Sequence, residues 1–242
     1  MPGHDPPHPD LPHPDLPRHD LRRRLTAEAI GSFFLFAGVI GSGIMAENLA
    51  GGNDAIALLA NTIATGAILY VIIAVLAPVS GAHFNPAVTL AFALRRALPW
   101  REVVPYILIQ LVAGAVAVAA VHLMFDEPIV QFSTKARAGV GQWTGEGVAT
   151  FGLVLTILLG VRYRPDAIPA AVALYITAAY WFTSSTSFAN PAITVIRSLS
   201  DSFAGIAPAN VPLFIAAQLL GTVLAVMLAG WMLAAPGVAA RN

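Results

Sequence analysis

Six apolar segments, each close to the length that crosses a bilayer, limit what this chain of 242 residues can fold into. About 20 residues of helix are needed to cross the hydrocarbon core. The segments are residues 25–46, 55–79, 103–125, 143–161, 167–182 and 211–233. The chain is 57% hydrophobic and 11% charged, whereas soluble proteins have about 25% charged residues. This pattern excludes a water-soluble globule and predicts an all-α membrane protein.

The first 24 residues differ from the rest because they are rich in proline and histidine and carry charges of both signs. Proline blocks helix formation and sheet pairing, so we expect a disordered tail over residues 1–24 and a membrane domain over residues 25–242. An unstructured tail gives its histidines no fixed ligand geometry, and the chain has no cysteine, so neither a metal site nor a cofactor is predicted. The tail histidines are His4, His8, His13 and His19.

The basic residues are distributed unequally between the two sides of the predicted spans. If both termini lie on one side, that side receives ten of the 13 lysines and arginines. The other side receives only Lys135, Arg137 and Arg197. Because cytoplasmic loops carry the excess of basic residues, both termini are predicted to be cytoplasmic. The formal net charge of zero leaves no broad cationic surface for nucleic acid, so no such partner is expected.

The two halves of the chain contain an internal repeat. Glu28 corresponds to Glu146 at an offset of 118 residues, and the tripeptide at Asn85 recurs at Asn190 at an offset of 105. Each repeat, about residues 25–134 and 135–242, contains three of the apolar segments. Because three is an odd number, the second repeat has to insert with the opposite orientation.

Each repeated tripeptide is predicted to start a short helix, because Asn is a favourable N-cap and Pro suits the first helical position. The tripeptides are Asn85-Pro86-Ala87 and Asn190-Pro191-Ala192. Arg95 and Asp201 end these helices after about ten residues, which is half of the bilayer thickness. We therefore predict two re-entrant half-helices that enter from opposite faces and meet at the midplane. The irregular backbone before each one has to be buried or to line a water-filled path.

The two asparagines are candidate pore residues. Facing helix N-termini create a positive zone that disfavours cations, and the amides of Asn85 and Asn190 would donate hydrogen bonds to a passing neutral oxygen. This chemistry indicates a pore for uncharged hydroxylated solutes. The alternative is that both asparagines only cap their helices.

Glu28 and Glu146 are carboxylates inside apolar segments, where a charge is costly unless it is paired or hydrogen-bonded. They would act either as proton relays of a carrier or as acceptors that hold the irregular backbone beside the half-helices, and we favour the second role. His83, in the polar stretch before the first half-helix, is a candidate lining or supporting residue. His122, on an apolar helix, is interpreted as a packing residue.

These features resemble the aquaporin family, also called major intrinsic proteins. The resemblance rests on Ala27-Glu28, on residues 80–89 and on the second Asn-Pro-Ala, and it covers about residues 25–240. It implies an hourglass fold of six transmembrane helices and two re-entrant half-helices in a bacterial inner membrane. It also implies a homotetramer with one pore per subunit that conducts water or small neutral solutes passively and has no enzymatic activity.

The resemblance further implies a selectivity filter at four positions counted from the two motifs, namely Thr65, Ala178, Ser187 and Ile193. Family members usually have an arginine where this chain has Ile193, so we expect a wide and uncharged filter. Arg197 lies one helical turn later on the same face, and helical side chains lean towards the N-terminus. Arg197 would therefore replace part of the missing charge; the alternative is an arginine of the vestibule.

Filters without arginine resemble a bacterial aquaglyceroporin subgroup associated with arsenic resistance. The expected solutes are water, glycerol-like polyols and neutral metalloid hydroxides such as trivalent arsenic hydroxide. The alternatives are a water-selective aquaporin and an ion-coupled secondary transporter, which also uses inverted repeats and broken helices. A membrane enzyme is disfavoured because the spans contain no plausible catalytic dyad or metal-ligand cluster, and a purely structural role would require a blocked pore.

Overall fold

The computed structural model describes residues 19–234, and within this range the chain forms eight α-helices and no strand. The helices are α1 Leu21–Leu49, α2 Asp54–Ser80, α3 Pro86–Leu94, α4 Trp100–Met124, α5 Val140–Tyr163, α6 Ile168–Phe182, α7 Pro191–Arg197 and α8 Val211–Leu233. Two short 3₁₀ turns, Pro165–Ala167 and Pro208–Asn210, precede α6 and α8. The all-α architecture predicted from the sequence is confirmed.

Five helices, α1, α2, α4, α5 and α8, are long and apolar enough to cross a membrane. Helices suit this environment because each satisfies its own backbone hydrogen bonds. The sixth predicted span, residues 167–182, forms α6, which has only 15 residues. A helix of that length extends about 22 Å, less than the hydrocarbon thickness of about 30 Å. A 3₁₀ turn precedes α6, and an irregular, mostly buried segment follows it.

The helix α1 begins inside the segment that the sequence predicted to be disordered. The Asp20 side chain accepts a hydrogen bond of 3.0 Å from the backbone N–H of Arg23, as an N-cap does. Residues 21–24 therefore form the first turn of α1, and the predicted tail boundary at residue 24 is wrong for these four residues. Residues 1–18 and 235–242 lie outside the described residues, and the disorder predicted for residues 1–18 stays a prediction.

The two repeats have the same helix order and the same neighbours. In the first repeat α1 packs against α2 and α4, and in the second α5 packs against α6 and α8. The repeats meet through α2 and α6 and through the two half-helices. The largest buried cluster includes side chains from both repeats, such as Phe36, Ile40, Ile157 and Phe214.

The half-helices α3 and α7 have nine and seven residues, and each contacts the last long helix of its own repeat. Successive crossings bring the start of α1 and the end of α8 to one face of the membrane, which we call the terminal side; the opposite face is the distal side. The segment before α3 enters from the terminal side, and the segment before α7 enters from the distal side. This is the hourglass fold that the sequence predicted.

Candidate functional site

Asn85 and Asn190 join the two half-helices through reciprocal hydrogen bonds. Each side-chain oxygen caps its own helix: Asn85 Oδ1 accepts from Ala87 N at 2.8 Å, and Asn190 Oδ1 accepts from Ala192 N at 3.0 Å. Each amide nitrogen donates to a carbonyl oxygen of the other repeat, and these bonds measure 2.7 and 2.8 Å. A primary amide has a second N–H, and both asparagines line the central cavity. Capping and pore lining are therefore compatible roles for the same side chain.

Glu28 binds the segment before α3. Its Oε1 accepts hydrogen bonds from Ser80 Oγ at 2.8 Å and from His83 N at 2.9 Å. Its Oε2 accepts from Phe84 N at 2.7 Å and from Gln110 Nε2 at 2.9 Å. These four donors satisfy a carboxylate that is completely buried.

Glu146 occupies the equivalent place in the second repeat. It accepts hydrogen bonds from Phe188 N at 2.8 Å, Ala189 N at 2.9 Å and Gln218 Nε2 at 2.6 Å. Both carboxylates thus accept backbone N–H groups beside the half-helices, as the sequence analysis expected for the holding role.

The backbone that these carboxylates hold is in an unfavourable conformation. Ala82 and Phe84 have φ angles of 52° and 48°, and Ser187 and Ala189, 105 residues later, have φ angles of 51° and 47°. Residues other than glycine rarely adopt this left-handed backbone conformation, which costs about 1–3 kcal/mol for each residue. The hydrogen bonds to the two glutamates offset this cost.

A cavity of about 90 Å³ runs between the repeats and contains room for several water molecules. Side chains spaced four residues apart line it, because that spacing keeps them on one face of a helix. The rows are Leu35 and Val39 of α1, Thr65, Leu69 and Ile73 of α2, Leu153, Ile157 and Val161 of α5, and Ile168, Val172, Ile176 and Tyr180 of α6. The lining is mostly apolar, with polar groups at a few positions.

Three of the four predicted filter residues, Thr65, Ser187 and Ile193, lie in the lining, but Ala178 does not. Ala178 is exposed on the outside of α6, and Tyr180 takes the inward position. The Tyr180 hydroxyl is 3.1 Å from Thr65 Oγ1, within hydrogen-bond distance. The prediction for Ala178 is wrong because the count from Asn190 assumed a fixed loop length. The Tyr180 ring therefore lies in the lining where the sequence analysis expected the small side chain of Ala178.

Arg197 points back along α7 into the cavity, in the direction expected from its sequence position. It is 2% exposed, and its guanidinium carbon is 3.4 Å from the ring centroid of Phe188. Its Nε donates a hydrogen bond to the carbonyl oxygen of Ala204. A positive charge therefore lies in the lining one turn from Ile193.

Arg137 is buried beside the cavity. The sequence analysis used it only as one of the basic residues of the loops and did not predict this position. Its Nε donates to Gly205 O at 2.7 Å, and its guanidinium carbon is 5.1 Å from the ring centroid of Phe188. Burial lowers the pKa of Arg137 to about 10. Nearby Lys135 also has a lowered pKa, first because of burial and then because of the Arg137 charge.

His83, in the irregular segment before α3, and His122, in α4, lie in different environments. His83 lines the cavity on the terminal side, with Nδ1 at 3.2 Å from Thr89 Oγ1. His122 is completely buried outside the cavity lining and holds distal loops, with its ring nitrogens 3.1 Å from Ile129 O and from Ser200 Oγ. Within residues 19–234 no group of three or more histidine or acidic side chains is arranged to hold a metal ion.

Comparison with known proteins agrees with this geometry. The family model described as major intrinsic protein matches residues 15–165. The chain belongs to the major intrinsic protein family. As a member of this family it is a multi-pass membrane channel and not an enzyme.

Individual relatives extend the match over most of the chain. The chain is 56% identical over 212 residues to "Aquaglyceroporin AqpS" of Rhizobium meliloti (strain 1021), which covers 87% of this chain and 90% of that protein. It is 33% identical over 137 residues to "Nodulin-26" of Glycine max, 56% of this chain and 48% of that protein. The X-ray structure of the aquaglyceroporin from Plasmodium falciparum superposes with a TM-score of 0.67 over 86% of this chain and 95% of that one. At 17% identity, this last likeness concerns the fold alone.

Proposed function

We propose that this channel conducts small uncharged hydroxylated solutes passively: water, glycerol-like polyols and neutral metalloid hydroxides such as trivalent arsenic hydroxide. The observation that carries the proposal is the central lining, where Asn85 and Asn190 supply amide donors inside a mostly apolar cavity. A neutral solute exchanges its hydration for these few donors, whereas an ion finds no group that replaces its whole hydration shell. The 56% identity to an aquaglyceroporin supports the same class of solute.

The proposed filter consists of Thr65, Tyr180, Ser187 and Ile193, with Arg197 one turn beyond. Ile193 leaves the position after the second motif without a charge and without hydrogen-bond donors. Tyr180 makes the filter less open than four small side chains would, but its hydroxyl and those of Thr65 and Ser187 suit a solute with several hydroxyl groups. Arg197 supplies the positive charge that repels cations and protons at this end of the pore.

The experiment that tests the proposal compares solute fluxes in proteoliposomes by stopped-flow light scattering. Water, glycerol and trivalent arsenic hydroxide are measured with the wild type, Ile193→Arg and Ile193→Met. We expect Ile193→Arg to slow glycerol and arsenic hydroxide by roughly tenfold or more, a barrier increase of about 1.4 kcal/mol, and to slow water less. Ile193→Met controls for side-chain length without charge and should retain most of the flux. Equal glycerol fluxes for wild type and Ile193→Arg would contradict the proposed filter.

The same vesicles distinguish the two alternative functions. A water-selective channel would exclude glycerol in the wild type. An ion-coupled carrier would lose solute flux when the proton gradient is removed and the solute gradient is kept, whereas a passive channel would not.

The proposed setting is the inner membrane of a bacterium, with both termini cytoplasmic and four copies forming a homotetramer. The terminal side has the larger number of basic residues, as the cytoplasmic side of membrane proteins does. Exposed apolar side chains on the long helices, such as Val75, Val104, Leu220 and Trp231, suit contact with lipid or with neighbouring subunits. Reporter fusions at the two termini and native mass spectrometry test these two statements separately.

A further inference from the structure

Three cationic side chains bind the same short stretch of a distal loop. Lys135 and Arg137 come from the loop between α4 and α5, and Arg197 is the last residue of α7. Together they donate hydrogen bonds to three consecutive carbonyl oxygens, those of residues 203–205. Lys135 Nζ and Arg137 Nη2 share the first of these carbonyls, at 2.9 and 3.2 Å.

The two arginines also lie against the same aromatic ring. Their guanidinium carbons are 5.1 Å and 3.4 Å from the centroid of the Phe188 ring. The distance between the two guanidinium carbons is therefore at most the sum of these two distances. Arg137 is 6% exposed and Arg197 is 2% exposed. The distal mouth therefore contains two buried guanidinium groups and a half-buried ammonium group. Like charges this close repel one another more strongly here than in bulk water.

Carboxylates do not neutralise this group at close range. Among the described residues, none of the three cations forms an ion pair within 4.0 Å. Glu47 and Asp54 act on Lys135, and Glu146 acts on the arginines, from a longer distance. Glu47 and Glu146 already accept backbone hydrogen bonds, Glu47 from Phe203 N and Glu146 from Phe188 N and Ala189 N. Backbone carbonyls orient the cations but carry only partial charges, so the mouth keeps an excess of positive charge.

Hydrogen-bond donors without a partner in the described part of the chain lie beside this charge. Ser187 is 2% exposed, and its Oγ has no hydrogen-bond partner among residues 19–234. The Nη1 and Nη2 atoms of Arg197 likewise have no partner in the described part of the chain, since only its Nε is engaged there. Both residues line the cavity. A buried polar group without a partner is costly unless water or a ligand binds it.

We infer that the distal mouth binds a small tetrahedral oxyanion of the sulfate or phosphate class from the medium on that side. Arg197 and the Ser187 hydroxyl contact the anion, while Arg137 and Lys135 add charge from behind. Guanidinium groups suit this class because their planar N–H donors match two oxygens of such an anion. The occupant differs from the permeating solutes because it carries charge.

The anion stops at the mouth instead of passing through. Beyond Ser187 the lining changes to the apolar rows of α5 and α6, for example Leu153, Ile157 and Ile176, which have no donors to replace its hydration. A bound oxyanion would therefore obstruct neutral solutes. This blocking effect rests on the proposed channel function, but the binding itself does not.

Binding is tested by isothermal titration calorimetry of the full-length protein in detergent, with sodium sulfate as the titrant and chloride keeping the ionic strength constant. We expect saturable binding to the wild type, at least tenfold weaker binding to Arg197→Gln and Arg137→Gln, and severalfold weaker binding to Ser187→Ala. Arg197→Lys, which keeps the charge, should retain more affinity than Arg197→Gln. Arg101→Gln is the matched control, because Arg101 is exposed on the terminal side, and its affinity should equal that of the wild type.

Several results would overturn the inference. One is a wild type without saturable sulfate binding, and another is wild-type affinity in Arg197→Gln and Arg137→Gln when both elute and melt as folded protein. A loss of affinity in Arg101→Gln as large as in Arg197→Gln would show a non-specific charge effect.

The second measurement is glycerol flux in proteoliposomes with sulfate on both sides. Sulfate should slow the wild type but not Arg137→Gln, and bound sulfate without any slowing would contradict a site in the mouth. If the wild type conducts no solute at all, the channel proposal fails, and calorimetry still decides the anion site.

Discussion

Replacing Glu146 separates the holding role of the buried carboxylates from a role in proton transfer. The carboxylate accepts three hydrogen bonds, from Phe188 N, Ala189 N and Gln218 Nε2. Glu146→Gln keeps the shape and one acceptor oxygen. If that oxygen faces Ala189 and Gln218, only the bond from Phe188 is lost. A hydrogen bond to a charged group contributes about 1.5–3 kcal/mol, so this variant should lose about that much free energy of unfolding.

Glu146→Leu removes every acceptor and leaves all three donors buried and unpaired. At about 1–3 kcal/mol for each, the loss of free energy of unfolding should be about 3–9 kcal/mol. The segment that carries Ser187 and Ala189 in the left-handed conformation would then relax, and glycerol flux should fall together with stability. Stability is measured as unfolding of the protein in detergent, monitored by circular dichroism. Flux is measured with the stopped-flow glycerol assay. Glu127→Gln is the control, because the only side-chain hydrogen bond described for Glu127 comes from Gln131.

The holding role and the relay role predict opposite patterns. A holding carboxylate predicts that stability and flux fall in the order wild type, Gln variant, Leu variant, without any dependence on the proton gradient. A relay predicts that Glu146→Gln is fully stable but loses gradient-driven flux. Wild-type stability in Glu146→Leu would refute the reasoning from buried donors.

Three other substitutions test separate parts of the channel. Tyr180→Ala should raise glycerol flux severalfold in stopped-flow light scattering by removing the ring from the lining, whereas Ala178→Leu, on the outer face of α6, should leave it unchanged; the reverse result would restore the sequence-based position. Arg197→Gln should raise the proton leak of dye-loaded vesicles severalfold and Arg197→Lys should raise it less, and an unchanged leak in Arg197→Gln would remove Arg197 from charge selection. Gly31→Leu should sharply reduce the yield of folded protein in size-exclusion chromatography, because even a Cβ there overlaps the Phe84 ring; an unchanged yield would show that this contact adapts.

The fold could be predicted from the sequence because its determinants are local or repeated. Asn before Pro favours a helix start, and Arg95 ends α3 as predicted. The second half-helix, α7, ends earlier than predicted, at Arg197 instead of near Asp201, but it is likewise too short to cross the bilayer. Glu28 and Glu146 could be assigned to the irregular segments because a buried carboxylate needs donors and only these segments have free backbone N–H groups.

The filter was predicted less well because a count from a motif assumes a constant loop length. The row Ile168, Val172, Ile176 and Tyr180 lines the cavity. Leu174, Ala178 and Phe182 have the same four-residue spacing and are also apolar, so the spacing alone does not select the inward face. Ala178 lies two residues from Tyr180, which is about 200° around the helix and therefore on the outer face.

The position of Arg137 had no local signal at all. Its partner Gly205 is 68 residues away, and their contact exists only once α4 to α7 have assembled. The start of α1 was missed for a related reason, since the proline-rich composition before Asp20 concealed an N-cap at its end.

The hydrogen bonds that Asn85 and Asn190 donate to Ala189 O and Phe84 O, across the boundary between the repeats, have a mechanical consequence. A carrier that alternates its access rocks one repeat against the other and opens a gap at the centre of the membrane. In this protein each repeat donates a hydrogen bond to the backbone of the other at the centre of the membrane. Such rocking would break both hydrogen bonds together and leave two carbonyl oxygens without a donor in a mostly apolar cavity. These two bonds therefore favour one arrangement of the two halves, which suits passive conduction better than alternating access.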